Sequence, residues 1–466
     1  MNRLPVVLWI ALTVLALFFF FHGAFPARHQ PIMAAQTAYR TLPLPVTCTR
    51  TNKTYQHDLL AFNRRTIITA YQQYGRQSAA WNERAKTVLD AYLRATCDAL
   101  PPSDTGRLAT EAKAAIDQGC DDPLILYIYG KALSDRDKAA AIPYLQCATE
   151  AFAGSKYPKV RARLAPLRLA QCLAETKQTN GLAETETLAL QWTADALTDG
   201  SVHAGEEPIF LELYFKFADF YTPHVPELLA MLHAKKLEES YSYQVLAGRN
   251  EMNQAWKARG GGYANTVTAQ GWKDFYAHLR QAETYLTKAW KAHPEYPQAP
   301  TLMIAVAMGN EDAGPTRRWF DRAVAAQFDY MDAYSSYEWS IYPRWGGSLD
   351  EMHLFGEECY LSKRYDTQVP LFYLRTLQDV ERDGNTEEFW AFTGTYDKLK
   401  AMFAGYEKVN DPAEIANERS LHAATAYRYQ DFMTAKEQLK ILGDQVVPTA
   451  FPDFAKAKQD IADHTR

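Results

Sequence analysis

The stretch GWKDFYAHLRQAETYLTKAWKAH, residues 271–293, decides how the rest of the chain is read. Trp272, Phe275, Leu279, Ala282, Leu286 and Ala289 recur at spacings of three and four. Lys273, Asp274, Arg280, Glu283, Lys288 and Lys291 fall between them. The pattern is one apolar stripe on an otherwise solvated helix. Pro294 and Pro297 end it, because proline disfavours helical geometry in the residue before it.

Working outward, the same helix holds Ala282-x₃-Leu286-x₂-Ala289 with Pro294 five residues on. This resembles the second helix of a tetratricopeptide repeat, where small residues let two helices approach and a larger one fills the groove beside them. The pattern returns at Thr316-x₃-Phe320-x₂-Ala323, so Leu286 and Phe320 are 34 residues apart, as are Ala289 and Ala323. Ala141-x₃-Leu145-x₂-Ala148 and Ala435-x₃-Leu439-x₂-Leu442 are weaker echoes. Asp122-Pro123 and Asp411-Pro412 each place a capping Asp before a proline suited to the first helical turn. Sustained two-residue alternation bounded by hairpin turns is absent from the sequence. The fold expected is all-α: a tetratricopeptide-like α-solenoid of helix-turn-helix pairs.

Ahead of it lies LPVVLWIALTVLALFFFF, residues 4–21, without a charge. Its length fits the lower edge of a membrane-spanning helix and exceeds a usual secretory core. An uncleaved signal anchor over residues 1–22 is expected, with a cleaved signal peptide as the alternative. Residues 23–47, with Pro26, Pro31, Pro43 and Pro45, read as a tether. Helical repeats are expected over 48–255, a glycine-rich loop over 256–270, a tetratricopeptide-like core over 271–385 and a C-terminal helical region over 386–466. Three consecutive glycines, Gly260 to Gly262, cost too much backbone entropy to remain helical. They read as a flexible loop, either a domain boundary or a gate.

A formal charge of −5 argues against a nucleic-acid binder, which needs a concentrated basic face. The aromatic share, 13% of residues, reads mainly as core packing. Six cysteines suit an oxidising compartment. Cys97 and Cys120, which bracket one expected helix, are the pair easiest to join. No CxxC, His-Glu-x-x-His, GxxxxGK[ST] or Gly-x-Ser-x-Gly pattern occurs, and no metal or other cofactor is expected. Glu357 and Glu358 are adjacent on a helix and point about 100° apart, so they do not form a facing carboxylate pair.

The densest cluster of unusual residues is IYPRWGGSLDEMHLFGEECYLSKRYDTQVP, residues 341–370. Pro343 to Ser348 is a turn by composition. Ser348 with Glu351 forms a capping box, so a helix is expected from Leu349. The Trp319-Phe320 helix, the Pro-Arg-Trp-Gly-Gly-Ser run, Met352 with Phe355, and Arg364-Tyr365-Asp366 together resemble a family of bacterial exported or membrane-associated proteins, the domain of unknown function 4034 family. The resemblance covers residues 250–385. It implies helical-repeat architecture and no particular chemistry. Trp345 could offer a stacking face, extended by Trp339, Tyr342 and Tyr330. Arg344 could pair with an anion, or else with Glu351 or Asp366. The binding residues expected are Arg344, Trp345, Trp339, Tyr342 and Asp366.

The function expected is a non-enzymatic protein–protein interaction scaffold, single-pass in a bacterial inner membrane with a periplasmic body, or periplasmic after cleavage. Its partner would be a protein or peptide, with the membrane met through the N-terminal segment. The alternatives are an envelope glycan- or peptide-active enzyme with a groove near Trp345, and a carrier of an apolar or aromatic ligand.

Overall fold

The computed structural model describes residues 44–101, 104–310, 314–410 and 415–465. The apolar segment at residues 4–21 and the Asp411-Pro412 cap lie outside them. Among the described residues there is no strand, and no helix is long and apolar enough to cross a membrane. The protein is all-α.

The chain forms two compact units, which divide between residues 313 and 314. The first holds α1 (Asn52–Asn63), α2 (Asn82–Thr96), α3 (Thr105–Asp117), α4 (Pro123–Ser134), α5 (Lys138–Ala153), α6 (Leu164–Glu175), α7 (Leu182–Asp195), α8 (Glu207–Phe215), α9 (Ala218–Ala234), α10 (Tyr241–Arg259), α11 (Ala269–Ala292) and α12 (Gln298–Gly309). From α2 to α7 each helix packs on the one before it, then α9 packs on α7, and the order resumes to α12. The second unit holds α13 (Thr316–Ala326), α14 (Met331–Ser340), α15 (Leu349–Leu361), α16 (Phe372–Gly384), α17 (Thr395–Val409), α18 (Ala416–Arg428), α19 (Phe432–Leu442) and α20 (Phe454–His464). Here α13 pairs with α14 and α15 with α16, and α17 to α20 pack in order.

The small-large-small signatures sit where close packing needs them. Ala282, Leu286 and Ala289 are fully buried, as are Ala141, Leu145 and Ala148. Leu286 of α11 is seated on Gly248 of α10, where an added Cβ would stand 2.5 Å from Leu286 Cγ. Leu145 of α5 meets Gly130 of α4 in the same way, at 2.9 Å. A mid-helix glycine costs about 1 kcal/mol relative to alanine. At both places it admits the branched side chain of the next helix. Phe320 and Ala323 are likewise buried completely, in the second unit, while Leu439 in the weakest echo is only partly covered.

Asp122 accepts from the amides of Leu124 and Ile125 and starts α4, as its proline predicts. Ser348 accepts from Glu351 N at 3.1 Å and starts α15. The residue 271–293 helix begins earlier than its periodicity suggests, at Ala269, because Thr268 caps it through Gly271 N.

Three expectations are corrected. The glycine run is not a domain boundary: it joins α10 to α11, which pack closely along each other. Arg259, only 7% exposed, donates from Nη1 to the carbonyls of Gly260 and Gly262, each at 3.2 Å, and so stitches the loop from beneath. The tether does not extend to residue 47. Leu44 is buried, and the backbone from Val46 to Arg50 is bonded into the second unit. Cys97 and Cys120 are both free thiols. They lie beyond opposite ends of α3, whose 13 residues form a rod of about 20 Å. A disulfide needs Cα atoms within about 7 Å. Cys97 Sγ instead takes a hydrogen bond from Asn63 Nδ2 at 2.9 Å.

Candidate functional site

The turn after α14 is built by two glycines. Gly346 takes φ of 90°, a left-handed conformation suited to glycine. A Cβ on Gly347 would lie 1.9 Å from the carbonyl oxygen of Ile341, so no larger residue fits there without moving backbone. Tyr342 O accepts from Trp345 N at 2.9 Å and from Gly347 N at 3.2 Å. The chain therefore doubles back, and Trp345 returns to within 6.1 Å of Trp339, centroid to centroid. The Arg344 guanidinium stands over Trp339 at 4.8 Å and over Tyr342 at 5.0 Å. Trp339 and Trp345 remain partly exposed.

Four of the five expected binding residues thus meet in one aromatic plate. Arg344 pairs with neither Glu351 nor Asp366. Its carboxylate is Asp383, on α16. An incoming anion would have to displace Asp383, so the plate offers ring faces and edges more readily than free charge.

Asp366 is not part of the plate. It holds Arg364 side-on, Nε to Oδ1 and Nη2 to Oδ2, both at 2.8 Å. The remaining Nη1 of Arg364 donates to Val46 O and Cys48 O, each at 2.9 Å. The guanidinium also lies 4.6 Å from the centre of Phe328, whose amide donates to Arg50 O at 2.9 Å. Arg364 is the clamp that straps residues 44–51 onto the second unit, and Asp366 orients it. Hydrogen bonds to a charged group contribute roughly 1.5–3 kcal/mol each. Arg364→Met is therefore expected to free the strap. Limited proteolysis within residues 44–51 should accelerate by about tenfold or more while the body of the unit stays resistant. An unchanged cleavage rate would remove the clamp assignment.

Beneath the plate lies a carboxylate pair that the sequence reading passed over. Glu338 of α14 is 1% exposed and Asp379 of α16 is 6% exposed. Glu338 accepts from Thr376 Oγ1 at 3.0 Å. Burial, then the charge of Asp379, push the Glu338 carboxyl up to about 8, against the opposing pull of Arg375. Arg375 stands 3.8 Å from Glu338 and 3.6 Å from Asp379, and Arg382 bonds Asp379 at 2.5 Å. Burial, then Asp379 and Glu338, also raise the Tyr342 hydroxyl above its usual value. The signal was present in the sequence. Asp379 falls on the Phe372, Thr376, Val380 face of the most amphipathic helix of this unit, and Glu338 on the Tyr334, Tyr337, Ile341 face of α14. An acid in an apolar register marks a buried carboxyl.

Glu357 and Glu358 separate as their spacing dictates. Glu357 takes Lys398 and stands 3.3 Å from His353 Nε2, whereas Glu358 takes Arg317 at 2.9 Å. Arg344, Glu357 and Asp366 accordingly sit in three separate pairs. Glu206, in the run His203-Ala204-Gly205-Glu206-Glu207, pairs with Arg65. No group of three metal-ligating side chains occurs among the described residues.

In the first unit, a groove of about 440 Å³ runs between α3 and α4. Ala109, Ala114 and Ala132 line it with Tyr129 and Leu133, and Thr110, Lys113, Asp117 and Arg136 add polar groups. Lys113 is tied to Asp117. Its volume is within the range of ligand and peptide sites. Nothing in the sequence marked it, because alanines read as helix formers and not as the walls of a groove.

No family model matches this chain, and no curated protein matches it.

Proposed function

We propose that this protein is a helical-repeat scaffold that holds a protein or peptide partner, an α-solenoid of tetratricopeptide-like helix pairs related to the domain of unknown function 4034 family. One observation carries the reading: successive helices pack on their chain neighbours, with Leu145 on Gly130 and Leu286 on Gly248 repeating one small-on-large contact. Stacks of this kind expose an extended surface, and such surfaces bind chains. The groove between α3 and α4 suits an extended segment, with Tyr129 as a ring to pack against and Arg136 as a cation at its edge. The apolar residues 4–21 support an envelope location, with a single membrane pass and the body outside the inner membrane. Under that reading the chain enters the body through residues 44–51, on the second unit.

The test is a photo-crosslinking side chain at Ala132, in the groove, compared with one at Leu354, which is exposed on α15. A discrete adduct from Ala132, absent from Leu354 and lost in Arg136→Glu, is expected in intact cells. Identical adduct patterns at the two positions would refute a groove-bound partner.

A further inference from the structure

The loop between α6 and α7 carries Thr179-Asn180-Gly181, the one place in the sequence where asparagine is followed directly by glycine. Asn180 and Gly181 are both exposed. Thr179 O accepts from Leu182 N at 3.3 Å and closes a turn around them. Gly181 takes φ of 74° and ψ of 1°, values of the third position of a type II turn, so Asn180 holds the second. Glycine enters this region without steric cost. A Cβ built on Gly181 would meet nothing within 4 Å, so the space around the backbone here is open.

Two groups in this turn are unengaged. Among the described residues, neither the Asn180 side-chain amide nor the Gly181 backbone N–H has a hydrogen-bond partner. The Gly181 carbonyl, by contrast, is held: it accepts from Thr185 N at 3.1 Å and from Thr185 Oγ1 at 2.6 Å. The turn therefore fixes the chain on the far side of a backbone nitrogen that is itself open to reaction. Comparable positions in the same unit are tied down. Asn82 Oδ1 accepts from Tyr71 OH at 2.8 Å, its Nδ2 donates to Gln77 Oε1 at 3.3 Å, and the next residue lies within α2. In Asp199-Gly200, the carboxylate accepts from Lys159 N and Ser201 N, each at 2.8 Å.

We infer that Asn180 is a site of self-modification, converted by water to aspartyl and isoaspartyl forms. Hydroxide takes the proton of the Gly181 amide, and the nitrogen attacks the Asn180 side-chain carbonyl carbon. A C–N bond forms and closes a five-membered imide. The Cγ–Nδ2 bond breaks, and the nitrogen leaves as ammonia with a proton from water. Water then opens the ring. Cleavage at the side-chain carbonyl gives aspartate; cleavage at the backbone carbonyl gives isoaspartate, with one more methylene in the main chain. One water is consumed and one ammonia released. Either product adds a negative charge to the formal −5 of the chain. That charge stands just ahead of α7, at the end of a helix that favours anions, so the conversion leaves α7 in place. The site is independent of the partner-binding reading.

The test holds the full chain at physiological temperature and follows it by ion exchange and peptide mapping. A form one charge more acidic should accumulate with time, faster in more alkaline buffer, because hydroxide removes the amide proton. Mapping should place isoaspartate at position 180. Asn82 reacts only when its helix end opens, so it should convert about tenfold or more slowly in the same sample. Asn180→Gln, a change on an exposed turn, should suppress the acidic form. Conversion at Asn180 no faster than at Asn82 would overturn the inference, as would an acidic form that accumulates undiminished in Asn180→Gln.

Discussion

Phe320→Ala is expected to destabilise the second unit by about 3–5 kcal/mol, the usual cost of deleting a fully buried aromatic ring. Phe320 has no exposed surface. Its ring stacks on Tyr337 at 4.9 Å and meets Tyr334 edge-on at 5.1 Å and Phe355 at 5.3 Å. It is therefore the point at which α13, α14 and α15 share one packing contact. Its neighbours are themselves rings held on two other helices, so collapse into the space left by the deletion would require both to shift toward α13. Two compact units make a single unfolding transition a poor description of the whole chain. The measurement is therefore calorimetry, reading the transition that belongs to residues 314–465. Each kcal/mol moves such a transition by roughly 2–4 °C. Met433→Ala, at a residue 67% exposed in the same unit, is the control and should leave it in place. A Phe320→Ala shift no larger than the control's would mean that this ring cluster is not the core it resembles.

Glu338→Gln is expected to stabilise the protein at alkaline pH and to flatten part of its pH profile. In the folded state the Glu338 carboxyl is held near 8, against 4.5 ordinarily. The native state therefore keeps a proton that the unfolded chain releases. The stability contributed by the protonated form is fully present below about pH 4.5, falls as pH rises, and is gone above about 8. Across a gap of this size the contribution is on the order of a few kcal/mol. Glutamine keeps the shape, accepts from Thr376 and donates toward Asp379, and carries no charge to desolvate. The wild type should lose stability relative to Glu338→Gln between about pH 5 and 8. Chemical denaturation across that window measures the difference. Parallel profiles would show that the Glu338–Asp379 pair does not hold the proton.

Local rules carried the sequence reading where the physics is local. The three-and-four spacing of Trp272 to Ala289 gave a helix. Asp122 and Ser348 gave true starts, and Ala282, Leu286 and Ala289 gave a face that packs closely. The reading failed where partners lie far along the chain. Arg344 finds Asp383 39 residues later, and Arg364 finds the Cys48 carbonyl 316 residues earlier. No spacing rule contains either pairing. Cys97 and Cys120 looked near because a helix joins them, yet a helix is what holds them apart. The glycines at 260–262 looked loose because their own entropy was weighed without Arg259. The aromatic plate was legible as a cluster because Trp339, Tyr342, Arg344 and Trp345 are neighbours in sequence. The acids beneath it were not, since Glu338 and Asp379 meet only once α14 and α16 are in place.

The strap at residues 44–51 has a mechanical consequence. Tension on the chain ahead of residue 44 would run through the Val46 and Cys48 carbonyls into a single guanidinium, and from Arg364 into the turn between α15 and α16. Two bonds that converge on one rigid group share a load and fail together, not one after the other. The Arg364 hold should behave as a latch with a threshold force, releasing abruptly and passing the strain to the Phe328 amide, which still holds the Arg50 carbonyl.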